Sequence, residues 1–202
     1  VRKICSRCIL LEKGAVAADG PTEQVLREYG RWLAPGSVYV HMVTRRQGLM
    51  VKPGNPLHID RLADLLRPEV RFVARAPGSG TRLLLETLLR TEGLDPAPLA
   101  DGTPGEHTHS AVAAHVASHM ADAGFGVETS ARRFGLEFIP VQTERYGLLM
   151  SASTLETKGA QRLLGMLRSP ACQAAFQALE GYRPELCGKV EPACEAFRGW
   201  PV

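Results

Sequence analysis

The sequence predicts an α/β fold, a mixed sheet flanked by helices. Three observations carry that reading. Short β-type apolar runs alternate with segments of helical spacing from Val38 onward. Turn clusters such as Lys52-Pro53-Gly54-Asn55-Pro56 punctuate them. A glycine-rich loop, Gly78-Ser79-Gly80-Thr81-Arg82, stands between a strand-like run and a helix-like one.

In chain order, Ile4 to Leu11 is apolar-rich and predicts a strand, Lys13-Gly14 a turn, and Ala15–Ala18 a second short strand running into Asp19-Gly20-Pro21. Thr22 then caps an expected helix over Glu23–Tyr29. Ala34-Pro35-Gly36-Ser37 breaks the chain and sets a boundary. Val38–Val43 and Gly48–Val51 are expected as separate strands, Ile59–Leu66 as a helix and Val70–Ala74 as a strand. A helix follows from Thr81 to near Leu89, closed by Gly93. Residues 95–107, rich in Pro, Gly and Asp, predict a loop, and Ser110–His119 a helix started by Thr108 or His109. Then come a small-residue strand (Ala121–Val127), a short helix (Glu128–Phe134), strands over Leu136–Val141 and Glu144–Ser151, and helices over Thr154–Leu167 and Ala171–Leu179. After Gly181 the prolines at 184, 192 and 201 predict an irregular tail.

Hydrophobic residues make up 45% and charged residues 22% of the 202, enough for a buried core. The net charge of +3 is small, and Arg45-Arg46 and Arg132-Arg133 are isolated pairs, so no nucleic-acid partner is expected. No apolar run is long enough to span a bilayer, and no leader-like apolar stretch follows the amino terminus. The expectation is a cytoplasmic chain without membrane insertion. Five cysteines fit a closed disulfide framework poorly, so reduced thiols are expected. Cys5-Ser6-Arg7-Cys8 has the spacing of half a zinc site but lacks a second half, so no metal is expected.

Two places carry chemistry. In Gly78, Ser79, Gly80, Thr81 and Arg82 the glycines admit a close ligand, the first helical turn presents free N–H groups, and Ser79, Thr81 and Arg82 add donors. Taken alone, the loop reads equally as an anion site or as a capped turn. It lacks the spacing of a Walker A loop and the third glycine of a dinucleotide fingerprint. The second place is Glu106-His107-Thr108-His109-Ser110, where Thr108 is either a helix cap or a ligand contact. His107 and His109, two residues apart, lack a third metal ligand. No nucleophile stands beside a base, so neither an enzyme nor a cofactor is expected.

Ordered motifs tie these pieces together. They are Arg46-Gln47-Gly48-Leu49-Met50-Val51 through Pro53-Gly54-Asn55-Pro56, then Phe72-Val73, Arg75 and Gly78–Arg82, then Thr108-His109, Ala111–Ala113, Val116-Ala117 and Ala121–Gly124 through Gly126, and finally Glu144-Arg145-Tyr146. Over about Val38 to Gly188 the chain resembles the periplasmic-binding-protein-like domain fused elsewhere to winged-helix regulators and to molybdenum-cofactor biosynthesis enzymes. That domain is similar to the molybdate and tungstate receptors of ABC transporters. The resemblance implies a type II lobe with an incomplete first lobe. It also implies a small oxyanion such as molybdate or tungstate held by Ser79, Thr81 and Arg82, with Thr108 and His109 nearby, in transport, sensing or molybdenum-cofactor metabolism. An incomplete lobe would leave an apolar face, implying a homodimer or an ABC-transporter-related partner; on that second reading the chain is an interaction or remnant protein that binds nothing. His119-Met120 stands where the family usually has a helix-ending glycine. Residues 1–35 resemble the C-terminal end of an ABC-transporter ATPase through Arg7–Gly14 and Ala18–Leu26. The implied layout is an ATPase-tail-like segment over 1–35, the binding domain over 36–188 and an irregular tail over 189–202.

Overall fold

A computed structural model describes residues 7–12, 15–21, 36–100 and 105–196. Strands β1 (Arg7–Glu12) and β2 (Ala15–Pro21) form an antiparallel hairpin with a register shift between Leu10 and Leu11. The two expected strands are present, while the expected Lys13-Gly14 turn and the helix over 23–29 lie outside the described residues.

The chain divides into two compact units. One is Arg46–Thr143; the other takes the described residues up to Arg45 and from Glu144 onward. Both divisions fall inside a long strand. β3 runs unbroken over Ser37–Val51, and β6, counted after the elements below, over Glu137–Ser151. The sequence predicts two strands in each place, because polar runs such as Thr44-Arg45-Arg46-Gln47 interrupt the apolar pattern. A ladder is held by backbone groups, however, and the interrupting charges have partners: Arg45 pairs with Glu144 and stacks 4.5 Å over the Tyr146 ring, and Arg46 pairs with Glu128 at 2.6 Å.

Within 46–143, Lys52–Asn55 forms a turn closed by the Asn55 N–H on the Lys52 carbonyl (2.9 Å), with Gly54 at φ 74 and Asn55 at φ 41. The Asn55 side chain then accepts from the Ile59 N–H at 2.9 Å, fixing the loop in which Ile59, Leu62 and Leu65 turn inward. The expected helix here shrinks to a 3-10 turn over Leu62–Leu66, because Asp64 ties back to the Asp60 and Arg61 N–H groups and Pro68 holds Arg67 extended. β4 is only Phe72–Val73; α1 covers Gly80–Thr91 and α2 His109–Ala117; β5 is Ala123–Val127 and α3 Glu128–Arg133. β4 lies parallel to β5, and β5 antiparallel to β3 with Gln47 opposite Val127 and Val51 opposite Ala123. Alternation then sorts the core. Leu49, Val51 and Phe125 pack with Leu84, Leu85 and Leu89 of α1, whereas Met50 packs with Val112 and Val116 of α2 and Ala131 of α3.

All three helices of this unit end alike. In α1 and α3 the left-handed residue is Gly93 (φ 76) or Gly135 (φ 68); in α2 it is His119, at φ 63. The Met120 N–H reaches the His115 carbonyl (3.0 Å) and the His119 N–H that of Val116 (3.2 Å), a complete Schellman pair. The left-handed cap therefore persists without its glycine. Because a β-carbon is strained at that φ, His119→Gly is expected to stabilise the protein by about 0.5–1 kcal/mol, read as a rise in Tm.

In the other unit, β7 (Tyr182–Arg183) pairs with Thr44-Arg45 and β8 (Val190–Pro192) with Val38–Val40. Helices α4 (Ala152–Leu155), α5 (Lys158–Arg168), α6 (Pro170–Gln177) and α7 (Ala193–Ala196) complete it. The expected single helix over 154–167 is broken because Thr157 caps α5 through the Ala160 N–H (3.3 Å). Strands β7 and β8 and helix α7 correct the irregular tail expected after Gly181: runs this short carry no periodicity, and the pairing of β7 and β8 with β3 is visible only in three dimensions. Leu164 and Leu167 of α5 form the core here with Val40 and Cys187. Burial, with Cys172 beside it, pushes the Cys187 thiol up.

Candidate functional site

The site begins where β4 ends. Ala74 to Ala76 continue past the strand, and the Arg75 backbone bridges that of Glu106 in parallel register. The Glu106 N–H bonds the Ala74 carbonyl and the Ala76 N–H the Glu106 carbonyl, both at 2.9 Å. The Arg75 guanidinium closes the clamp, donating through Nε to the Glu106 carbonyl (2.9 Å) and through Nη2 to the His107 carbonyl (2.8 Å). Gly105 fits against this clamp at φ 70, where a β-carbon would lie 2.6 Å from the Arg75 carbonyl oxygen. The N-caps of α1 and α2, Ser79 and Thr108, thereby follow the bridge by four and two residues.

At α1, Ser79 is the N-cap: its Oγ accepts from the Arg82 N–H at 3.3 Å. Gly78 takes φ 79, and Ser79, Gly80 and Thr81 are buried. At α2, exposed Thr108 is the N-cap, its Oγ1 accepting from the Ala111 N–H at 3.0 Å. Both hydroxyls thus do the capping work the sequence allowed. The first turns still hold N–H groups, among them those of Gly80, Thr81 and Ser110, that no intrahelical carbonyl can reach. The helix dipoles add partial positive charge there.

Arg82 departs from expectation. It lies back along α1, with Nε donating to Glu86 at 3.0 Å and Nη1 to the Arg75 carbonyl at 3.3 Å. Its charge is matched by Glu86, and the adjoining cavity, which also touches Thr81 and Phe125, is about 10 Å³. A space of that size holds one water at most. An oxyanion at this place would meet neutral donors and helix ends, with no unmatched guanidinium from Arg82.

His109 packs over β5: a β-carbon on Gly126 would sit 2.8 Å from its Nδ1. Gly124 brings the strand equally close to Val112. The small-residue motif over 121–126 is therefore the seat of α2. Glu106 pairs with His115 at 3.1 Å, His107 is exposed, and no group of three metal-ligating side chains occurs among the described residues. Asp122 closes the opposite end of the β4–β5 pair. It accepts from Arg71 Nε and Nη2 (2.9 Å each), from the Arg71 N–H (3.1 Å) and from Lys52 (2.8 Å), and these cations hold its carboxyl well below the usual carboxylate range.

Two residues at the carboxyl end of the β4–β5 pair carried no separate signal in the sequence. Arg75 stood out only as one position of a motif; its place just after a strand and before the glycine loop was the available clue. Gln47 is 1% exposed, and among the described residues neither its amide nitrogen nor its amide oxygen has a hydrogen-bond partner.

This geometry, two helix starts outside the carboxyl ends of parallel strands, is where open α/β sheets bind ligands. Residues 16–168 match the PBP superfamily domain, three-quarters of the chain. The chain belongs to the PBP superfamily. The match begins at residue 16, so residues 16–35, set apart in the sequence reading, fall within it. The chain is 32% identical over 174 residues to the uncharacterized protein YvgK of Bacillus subtilis, covering 85% of this chain but 56% of that protein. It thus spans little more than half the length of that relative. It is 31% identical over 110 residues to an uncharacterized protein from the 5′ region of a ferredoxin gene in Clostridium pasteurianum, over 54% of this chain and 96% of that one. Among solved structures, the substrate-binding domain of a molybdenum ABC transporter from Clostridium difficile superimposes with a TM-score of 0.51 at 15% identity, covering 80% of this chain and 82% of that one. A two-component system protein of signal transduction gives a TM-score of 0.56 at 14% identity, over 71% and 55%. At these identities the likeness is one of fold, and the fold is that of substrate-binding proteins. No described helix is long and apolar enough to cross a membrane.

Proposed function

We propose that this chain is a small-ligand-binding module whose ligand is a tetrahedral oxyanion of the molybdate or tungstate class, held on the first turns of α1 and α2. The observation that supports the reading is the Arg75 clamp, which ties together the two segments that lead into α1 and α2. The Ser79 and Thr108 hydroxyls accept from backbone N–H groups as caps and keep their O–H protons for a ligand, Arg82 is paired with Glu86, and Thr81 is the hydroxyl of the first turns that has no capping role. Recognition by neutral donors and dipoles selects by geometry more than by charge, so affinity should depend only weakly on salt.

Calorimetric titration with molybdate, tungstate and sulfate tests the reading. Saturable heat with molybdate or tungstate is expected, weakened by about tenfold or more in Thr81→Val, which keeps the shape and removes one donor. Absence of heat with all three at millimolar concentration would refute it.

A further inference from the structure

The Gln47 carboxamide is a buried polar group, and among the described residues neither of its ends has a partner. Leaving such a group unsatisfied is unfavourable, and an apolar side chain of the same size would avoid the penalty. Something other than fold stability therefore accounts for glutamine at this place.

Its position says what. Gln47 lies opposite Val127, Leu49 opposite Phe125 and Val51 opposite Ala123, so these side chains share one face of the sheet. Leu49, Val51, Ala123 and Phe125 all pack in the cluster that contains Leu84, Leu85 and Leu89 of α1, which makes this the α1 face. Along β3, Gln47 is two residues beyond Leu49, past Phe125 and toward the carboxyl ends of β4 and β5. α1 starts at that same edge, and Phe125 and Thr81 touch the same small cavity. Gln47 thus projects on the face and at the edge where the α1 N-terminus lies.

We propose that the Gln47 carboxamide is a ligand-facing specificity determinant of this site, its NH₂ group donating to an oxygen of the bound oxyanion; the inference rests on the oxyanion reading above. An amide offers donors without charge, matching the neutral character of the other groups at the two helix starts.

Two variants test it by titration with molybdate, tungstate and sulfate and by thermal melting. Gln47→Leu is expected to melt about 2–4 °C higher than the parent without ligand, because the orphaned amide is gone, and to bind the oxyanion at least about tenfold more weakly. Gln47→Glu, which sets a carboxylate against the anion, is expected to show no binding at pH 8. A parent that binds while Gln47→Leu binds equally well overturns this inference alone. So does a Gln47→Leu protein that melts below the parent, since the amide would then serve the fold. A parent that binds none of the three anions overturns the oxyanion reading and this inference with it.

Discussion

Gly48→Ala is expected to destabilise the protein by about 3 kcal/mol or more, at the upper end of overpacking costs. A β-carbon at Gly48 would overlap the Ile139 carbonyl oxygen and come within 2.9 Å of the Ile139 carbonyl carbon and of Phe138 Cζ. Two of those atoms are backbone of β6, so no rotamer change can clear them, and each strand is fifteen residues long. Urea denaturation should show a lower midpoint at unchanged m. The same substitution at Gly165 in α5, where nothing lies within 4 Å, is expected to stabilise by about 0.5–1 kcal/mol through helix propensity. A Gly48→Ala protein as stable as the parent would mean that β6 does not approach β3 at this point.

The second large effect is expected at Asp122. Removing its charge with Asp122→Asn should cost about 2 kcal/mol at pH 7, a figure kept low because the Arg71 side chain is 58% exposed and water screens it. The pH dependence has a definite sign. The folded carboxyl is held below its unfolded value by Arg71 and Lys52, so its contribution is fully present above the unfolded value near about pH 4. It is lost as the pH falls through the folded value. The stability gap between parent and Asp122→Asn should therefore be flat from neutral pH to about 5 and close progressively in more acidic solution. A gap that widens on acidification would contradict the assigned pairing.

Much of the resemblance that the motifs carried turns out to be scaffold. Gly48 admits β6, Gly54 and Asn55 shape a turn, Gly124 and Gly126 seat α2, and Asp122 braces β4. Each has a local physical demand that a sequence can display, which is why strands, turns and helix starts could be read with Ser79 and Thr108 in their places. The candidate site was legible only in part. Thr81 and the two helix starts were visible as residue types, but the pairing state of Arg82 depends on Glu86 one turn away and on where the Arg75 carbonyl points.

By itself, the sequence determined the α/β class and the places where α1, α2 and α3 begin, because period, caps and turn residues are local. Tertiary structure alone decided that the polar interruptions in β3 and β6 do not end those strands, since Arg45, Arg46 and Glu144 find charge partners across the fold. It also decided that residues 190–192 pair with β3, that His119 takes a glycine's place, and that Arg75 ties the segment before α1 to the segment before α2. Those outcomes rest on contacts between residues far apart in the chain, and no periodicity encodes such contacts.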